Sequence, residues 1–126
     1  MKLLGLDYGD SKVGLSIGDT DSCVASPFKI LKNVGWNNLF QNLKIICQQE
    51  KVEKIIIGLP INKKLPDQAK RVSNFIAELK EQLNIEVETQ DEQFTTAQAQ
   101  KMLGNNKKRE DDVAAMLILQ AYLDKF

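Results

Sequence analysis

The feature that most constrains the fold is an apolar run in the middle of the chain, residues 54–60. Three consecutive isoleucines stand in this run, and Gly58 and Pro60 end it. A continuous β-branched run without polar alternation is typical of a strand buried on both faces, as in parallel sheets that helices cover on either side. The run therefore predicts a central strand of an α/β domain.

Hydrophobic periodicity predicts further elements on both sides of this strand. Continuous or alternating apolar patterns predict strands, and apolar residues at spacings of three and four predict helices. The strands are expected at residues 3–6, 13–17, 27–31 and 85–90, and the helices at residues 38–50, 66–84, 95–103 and 111–123. Because strands come first and then alternate with helices, we expect one α/β domain over residues 1–126, with a mixed five-stranded sheet flanked by helices.

Three of these elements carry local expectations. The first two strands should pair as a hairpin, because Gly9 gives the connection the backbone freedom that a tight turn needs. Pro27 is expected at the start of the third strand, an edge-tolerant strand, where no ladder donor is lost. Asn37 or Asn38 is expected to cap the first helix, since a short polar side chain can bond the free backbone N–H groups there.

The composition excludes several kinds of chemistry. The chain has no histidine, which removes Ser-His, Cys-His and His-metal sites together. Its 17 basic and 17 acidic residues cancel, so nucleic-acid binding would have to use local patches. Cys23 and Cys47 form no Cys-x-x-Cys unit, which argues against a zinc or redox motif. Without a signal-peptide pattern or a membrane-length apolar run, the expected location is the cytoplasm.

Carboxylates stand at three places where a predicted strand or helix meets the surface. Asp7 follows the first strand, Asp91 and Glu92 follow the last, and Asp111 and Asp112 begin the final helix. Mg²⁺ prefers hard oxygen ligands of this kind. Two ions held in this way can activate water and stabilise the leaving oxygen of a phosphodiester. The three places together favour a divalent-metal site.

Each carboxylate also has a purely structural interpretation. Asp7 could be a turn residue that bonds its own backbone, and acidic residues near a helix N-terminus are favoured by the helix dipole. Asp111 is in helical register with Ala115, whereas Asp112 is in register with Met116, and both lie on apolar stripes. Spacing alone therefore cannot choose between the two aspartates.

Lys107, Lys108 and Arg109 form a basic run directly before the final helix. Such a run could hold a phosphate backbone. Three charges alone are more often a solvated loop, and the same two interpretations apply to Lys63 and Lys64. The run is nevertheless a candidate nucleic-acid contact because it adjoins the helix that carries Asp111.

The chain resembles the YqgF/RuvX family over nearly its whole length, in motifs that follow the family's order. These are Leu6-Asp7-Tyr8-Gly9 with Lys12-Val13-Gly14, Ile57-Gly58-Leu59-Pro60, Asp91-Glu92-Gln93-Phe94-Thr95-Thr96, and Asp111 with Ala114-Ala115 and Leu119-Gln120. The resemblance implies a ribonuclease H-like fold and a nuclease that depends on Mg²⁺ or Mn²⁺. The implied reaction is 5′-end maturation of pre-16S ribosomal RNA. A Holliday-junction resolvase and a non-catalytic RNA- or ribosome-binding scaffold are the alternatives.

By the same resemblance, Asp7, Glu92 and Asp111 are the catalytic metal ligands, and Lys12 steadies the phosphate. The family often has arginine where this chain has Lys12 and Gln93. Lysine keeps the charge but not bidentate phosphate binding, and glutamine keeps neither. The implied partners are pre-rRNA or branched DNA and ribosomal particles, for a monomer or a homodimer. The actin-like ATPases begin with a similar hairpin but bind nucleotide between two domains, and this chain has room for one.

Overall fold

The computed structural model describes residues 1–60, 66–92 and 110–126. The helix predicted at residues 95–103, the basic run at residues 107–109 and the Lys63–Lys64 pair lie outside the described residues. At positions 92, 111 and 112 the description covers the backbone.

Five strands and three helices make up the described part of the chain. The strands are β1 (Lys2–Asp7), β2 (Lys12–Asp19), β3 (Val24–Lys32), β4 (Lys54–Pro60) and β5 (Glu86–Glu92). The helices are α1 (Trp36–Glu50), α2 (Pro66–Gln82) and α3 (Glu110–Leu123). None of the helices described is long and apolar enough to cross a membrane.

The strands form one mixed sheet in the order β3-β2-β1-β4-β5. The pairs β1–β2 and β2–β3 are antiparallel, whereas β4 is parallel to both of its neighbours. Residues 55–57 of β4 are fully buried, as the isoleucine run predicts. The predicted mixed five-stranded sheet is thus confirmed, and β4 is an interior strand, fourth in the order, with parallel neighbours on both sides.

The two faces of the sheet bury separate cores. Leu4 and Leu6 of β1 belong to the larger core, which α1 and α2 cover. Leu3 and Ile56 belong to a smaller core with residues of α3. Side chains alternate between the faces of a strand, so Asp7 has the parity of Leu3 and lies on the α3 face of the sheet.

Helix α3 lies very close to the sheet where β1 and β2 carry small residues. Ser16 is fully buried, and its hydroxyl donates a 2.7 Å hydrogen bond to the carbonyl oxygen of Ala115. Gly5 lies under the same turn, where an added Cβ would overlap Ser16 Oγ and crowd Leu119. Small residues at these two positions therefore set how near α3 comes to the strands.

Several local predictions were wrong. Helix α1 starts at Trp36, its cap is Gly35 at φ 123°, and no side chain caps it, so neither predicted asparagine has that role. Pro27 is the fourth residue of β3 rather than the first, beside an irregularity in the β2–β3 ladder. An edge strand tolerates it because a proline without N–H loses nothing on the open side. Strand β5 extends to Glu92, so Asp91 and Glu92 are its last residues.

Candidate active site

Two of the predicted carboxylate positions end strands that point the same way. Asp7 is the last residue of β1 and is half-buried. The parallel registers align Leu6 with Ile57 and Ile57 with Thr89. The residues that end β1 and β5 therefore lie at the same end of the sheet, where these strands have their C-termini. The same registers make Asp7 level with Gln90, so Glu92 lies two residues further along β5. Two strand spacings of about 4.8 Å and a rise of about 6.6 Å place the ends of β1 and β5 roughly 12 Å apart across β4. Glu92 is the residue that ends β5.

The start of α3 lies at this same end of the sheet. The carbonyl of Ala115 lies next to Gly5, whereas Tyr122 accepts a hydrogen bond from Lys54, the first residue of β4, at the opposite end of the strands. The helix therefore runs against the direction of β1. Asp111 precedes Ala115 by four residues, about 6 Å of helix, and Asp7 follows Gly5 by two residues, about 6.6 Å of strand. Positions 7 and 111 are consequently level along the sheet.

The register of β5 separates its two terminal acidic residues. Glu88 forms an ion pair with Lys54, and Gln90 accepts a hydrogen bond from Lys125, so even-numbered positions face α3. Asp91 instead has the parity of Val87, which belongs to the core under α1 and α2. Position 92 therefore has the parity of the α3 face. The sequence alone could not supply this distinction, because it depends on which face of β5 each core covers.

The backbone around the remaining predicted residue, Lys12, is also on this face. Lys12 is the exposed first residue of β2, two residues before Gly14, and Gly14 is the direct partner of Asp7. Residues at i and i+2 of a strand share a face. Lys12 is thus on the same face of the sheet as Asp7, on the neighbouring strand. The basic run at residues 107–109 lies outside the described residues.

An aromatic cluster fixes the residue that follows Asp7. The ring of Tyr8 stacks on Phe75 of α2 with centroids 4.4 Å apart. The indole Nε1 of Trp36, the first residue of α1, donates a 2.9 Å hydrogen bond to the Tyr8 hydroxyl. Phe40 completes the cluster against Phe75 at 5.4 Å. The start of α1 and the middle of α2 therefore hold the backbone next to Asp7 in place.

Polar contacts fix the rest of the β1–β2 connection. Asn33 donates a 2.8 Å hydrogen bond from Nδ2 to the carbonyl of Gly9, and Arg71 of α2 pairs with Asp10 at 2.8 Å. Our sequence interpretation did not identify any of these positioning residues. The partners are 24 or more residues apart in the chain, and no local pattern joins them.

A polar cluster of Lys54, Glu88 and Tyr122 lies away from Asp7 and has a structural role. Lys54 begins β4, and its ammonium hydrogen-bonds Glu88 and the Tyr122 hydroxyl. These bonds raise the pKa of Lys54. The same bond from Lys54, and a smaller one involving Tyr122, lower the pKa of Glu88. Through Tyr122 the cluster holds α3 against the beginning of β4, at the end of the sheet opposite Asp7.

Among the described side chains, no three His, Cys, Asp or Glu residues are grouped closely enough to hold a metal ion. That statement includes Asp7 but not the side chains at positions 92, 111 and 112. The described backbone places the end of β1, the end of β5 and the start of α3 at the same end of the sheet. Carboxylate-bearing positions on these three elements can therefore surround one site.

Comparison with known proteins gives the following relatives. The family model described as "RuvX: Holliday junction resolvase" matches residues 1–125. Proteins named "Putative pre-16S rRNA nuclease" from Clostridium tetani and Endomicrobium trichonymphae are each 37% identical to this chain over 133 residues. Both alignments cover 98% of this chain, with 96% and 95% of the respective relatives.

Solved structures share the fold at much lower identity. The Fowlpox virus Holliday junction resolvase has a TM-score of 0.64 at 12% identity, with 100% of both chains covered. Thermus thermophilus RuvC, solved with a Holliday junction substrate, has a TM-score of 0.61 at 10% identity, covering 99% of this chain and 95% of its own. These likenesses confirm the expected ribonuclease H-like fold.

Proposed function

Because the chain belongs to the RuvX family, we propose that it is a divalent-metal-dependent nuclease that hydrolyses phosphodiester bonds in pre-16S ribosomal RNA at the 5′ end. The names of relatives that match 98% of the chain support this substrate. The observation that supports the mechanism is that the end of β1, the end of β5 and the start of α3 lie at the same end of the sheet. The proposal includes a cytoplasmic location, ribosomal particles as partners, and a monomer or homodimer.

In this proposal Asp7, Glu92 and Asp111 hold Mg²⁺ or Mn²⁺. Their carboxylates are hard oxygen donors, and the chain contains no imidazole that would favour a softer metal. When bound, the divalent ion supplies an activated water and neutralises charge on the leaving oxygen. The protein's own part is to place the carboxylates on rigid elements and to hold the scissile phosphate, with Lys12 steadying it.

Strand and helix registers support one residue of each acidic pair. The alternation along β5 favours Glu92 over Asp91, because position 92 has the parity of the α3 face. The spacing of four residues to Ala115 favours Asp111 over Asp112, since Ala115 is fully buried against the sheet. The basic run Lys107, Lys108 and Arg109 is proposed to contact the nucleic-acid backbone beside α3.

The test is Asp7→Asn, with Asp10→Asn as the matched control from the same connection. Each is assayed with Mg²⁺ or Mn²⁺ on a precursor RNA that contains the 5′ end of 16S rRNA. Loss of a metal ligand should remove several kcal/mol of transition-state stabilisation, so Asp7→Asn should cleave at least about 100-fold more slowly. Asp10→Asn removes only an exposed ion pair with Arg71 and should cleave normally. Wild-type rates in Asp7→Asn would reject the site.

The acidic pairs are tested by metal affinity. Calorimetric titration with Mn²⁺ should show weaker binding in Glu92→Gln than in Asp91→Asn. The same comparison should show weaker binding in Asp111→Asn than in Asp112→Asn. Larger losses at Asp91 or Asp112 would reverse the corresponding assignment.

A four-way DNA junction is the second candidate substrate. The description of the matching family model and the junction complexes of the structural neighbours favour it. Assaying junction and precursor RNA at equal concentration decides between the two by their kcat/KM values. Absence of cleavage together with absence of carboxylate-dependent Mn²⁺ binding would instead indicate a non-catalytic scaffold.

A further inference from the structure

Two lysines lie opposite each other on β2 and β3, at the same end of the sheet as Asp7. Lys12 and Lys32 are direct partners in the antiparallel register, and both are exposed. Like charges directly opposite each other on neighbouring strands destabilise a sheet. The fold therefore gains nothing from this pair, which calls for another explanation.

Lysines at the opposite end of the sheet, where β1 and β4 begin, form ion pairs with carboxylates. Lys2 Nζ lies 3.3 Å from Glu50 Oε2, and Lys54 is paired with two glutamates of β5. Neither Lys12 nor Lys32 forms an ion pair with a carboxylate in the described part of the chain. In a chain of zero formal net charge, this leaves a local excess of positive charge beside the candidate site.

The backbone beneath the two lysines is fixed. Asn33 follows Lys32 directly, and its N–H donates a 2.9 Å hydrogen bond to the carbonyl of Ser11, which directly precedes Lys12. The side chain of Asn33 donates a second bond to Gly9. These bonds extend the β2–β3 ladder past the lysine pair, so the two positions are already ordered before any ligand binds.

We propose that Lys12 and Lys32 together bind the phosphodiester backbone of the substrate as it leaves the Asp7 site toward β3. This inference rests on the proposed nuclease function. Asp7, Lys12 and Lys32 share the α3 face and occupy successive strands, and the lysine pair lies two residues beyond the level of Asp7. Two strand spacings and a rise of about 6.6 Å therefore separate Asp7 from Lys32 by roughly 12 Å. An ammonium group binds phosphate as a point charge, so the contact fixes the position of the strand without selecting its sequence.

The competing explanation is that lysines on β3 discourage edge-to-edge aggregation, as charged residues on edge strands often do. Lys29 provides the matched control. It is exposed on the same edge strand, but its direct partner is Leu15, whose side chain belongs to the core under α1 and α2. Lys29 therefore lies on the face opposite to Lys32 with the same charge and a similar role at the edge.

The experiment compares Lys32→Gln, Lys29→Gln and Lys12→Gln/Lys32→Gln in the full chain. Binding to a fluorescein-labelled RNA hairpin and to a four-way DNA junction is measured by anisotropy over a salt series, with EDTA present to prevent cleavage. Each lost phosphate contact lowers the slope of log K against log salt by about 0.9 on a duplex. We expect a loss of about 0.9 for Lys32→Gln, about 1.8 for the double variant, and no change for Lys29→Gln.

Several results would overturn the inference. An unchanged slope in Lys32→Gln, or equal losses in Lys32→Gln and Lys29→Gln, would do so, the latter by showing a general field effect. Aggregation of Lys32→Gln in size-exclusion chromatography with an unchanged slope would support the edge-protection role instead. Metal-dependent cleavage is measured in parallel on the same RNA. The predicted slopes without cleavage by the wild type would uphold the contact and reject the nuclease proposal.

Discussion

Replacing Gly5 with alanine should weaken both the fold and the candidate metal site. A Cβ at Gly5 would lie 2.8 Å from Leu119 Cβ and 2.9 Å from the carbonyl oxygen of Ala115, and it would overlap Ser16 Oγ. Ser16 cannot swing aside freely, because it is fully buried and hydrogen-bonded to Ala115. The other two contacts are a Cβ and a backbone atom of α3, so the helix itself must move.

The size of the effect follows from these contacts. Losing the hydrogen bond from Ser16 to Ala115 costs about 1 kcal/mol, and overpacking a closely packed core costs about 1–3 kcal/mol. The expected loss of unfolding free energy is therefore about 3 kcal/mol, which for a domain of this size lowers Tm by roughly 10 °C. Lifting α3 also moves Asp111 away from Asp7. Mn²⁺ affinity should consequently fall at 25 °C, where the variant is still folded.

Circular dichroism melting, urea titration and Mn²⁺ calorimetry measure these effects. Ser16→Ala is the control, because it removes the hydrogen bond without crowding α3 and should lose only about 1 kcal/mol. In the double variant Gly5→Ala/Ser16→Ala the Oγ overlap is gone, so its destabilisation should be smaller than the sum of the two single losses. An unfolding free energy of Gly5→Ala within about 0.5 kcal/mol of wild type would refute the close approach of α3.

Two further predictions concern residues that are not proposed as metal ligands. Tyr8→Phe removes the acceptor of the Trp36 indole N–H and should lower the unfolding free energy by about 1 kcal/mol; Trp36 is the only tryptophan, so its emission reports the change directly. Burial raises the pKa of Cys47 to about 11. The unfolded chain therefore ionises first, and the stability from the buried thiol, full at neutral pH, is lost as pH rises from about 8.5 toward 11. Urea titrations should show a smaller alkaline loss in Cys47→Ala, and iodoacetamide should modify Cys23 before Cys47 in the native protein.

Much of the fold could be predicted because its signals are local. The isoleucine run at residues 55–57 has no polar position, which favours a strand buried on both faces, and all three residues are fully buried. Helices α1 and α2 show their apolar residues at spacings of three and four, which one short window of sequence reveals. The order of these elements then predicts an α/β domain with a mixed sheet.

The details that position the candidate site could not be predicted, because they depend on distant pairs. The hydrogen bond from Ser16 to Ala115 joins residues 99 apart in the chain. Lys32 becomes notable only when the register places it opposite Lys12, and an irregularity elsewhere in the same ladder makes that register hard to infer. Propensity also misled at α1, where tertiary packing of Trp36 on Tyr8 and Phe75 starts the helix before the asparagines.

The small residues under α3 connect the packing of the sheet to the proposed chemistry. Gly18, like Gly5, is close enough to α3 that an added Cβ would lie 3.0 Å from Leu123 Cδ1 and 3.1 Å from Leu119 Cδ2. Larger apolar residues here would bury more surface, worth about 0.8 kcal/mol per methylene group, but only by pushing the helix outward. Mg²⁺ requires its ligands at about 2.0–2.1 Å, and this range is much narrower than the displacement of the helix that a larger side chain would cause. If α3 supplies one carboxylate and β1 another, the bare strip on β1 and β2 is what keeps the two within reach of the same ion. Substitutions along that strip should therefore reduce metal affinity even where the larger core under α1 and α2 keeps the domain folded.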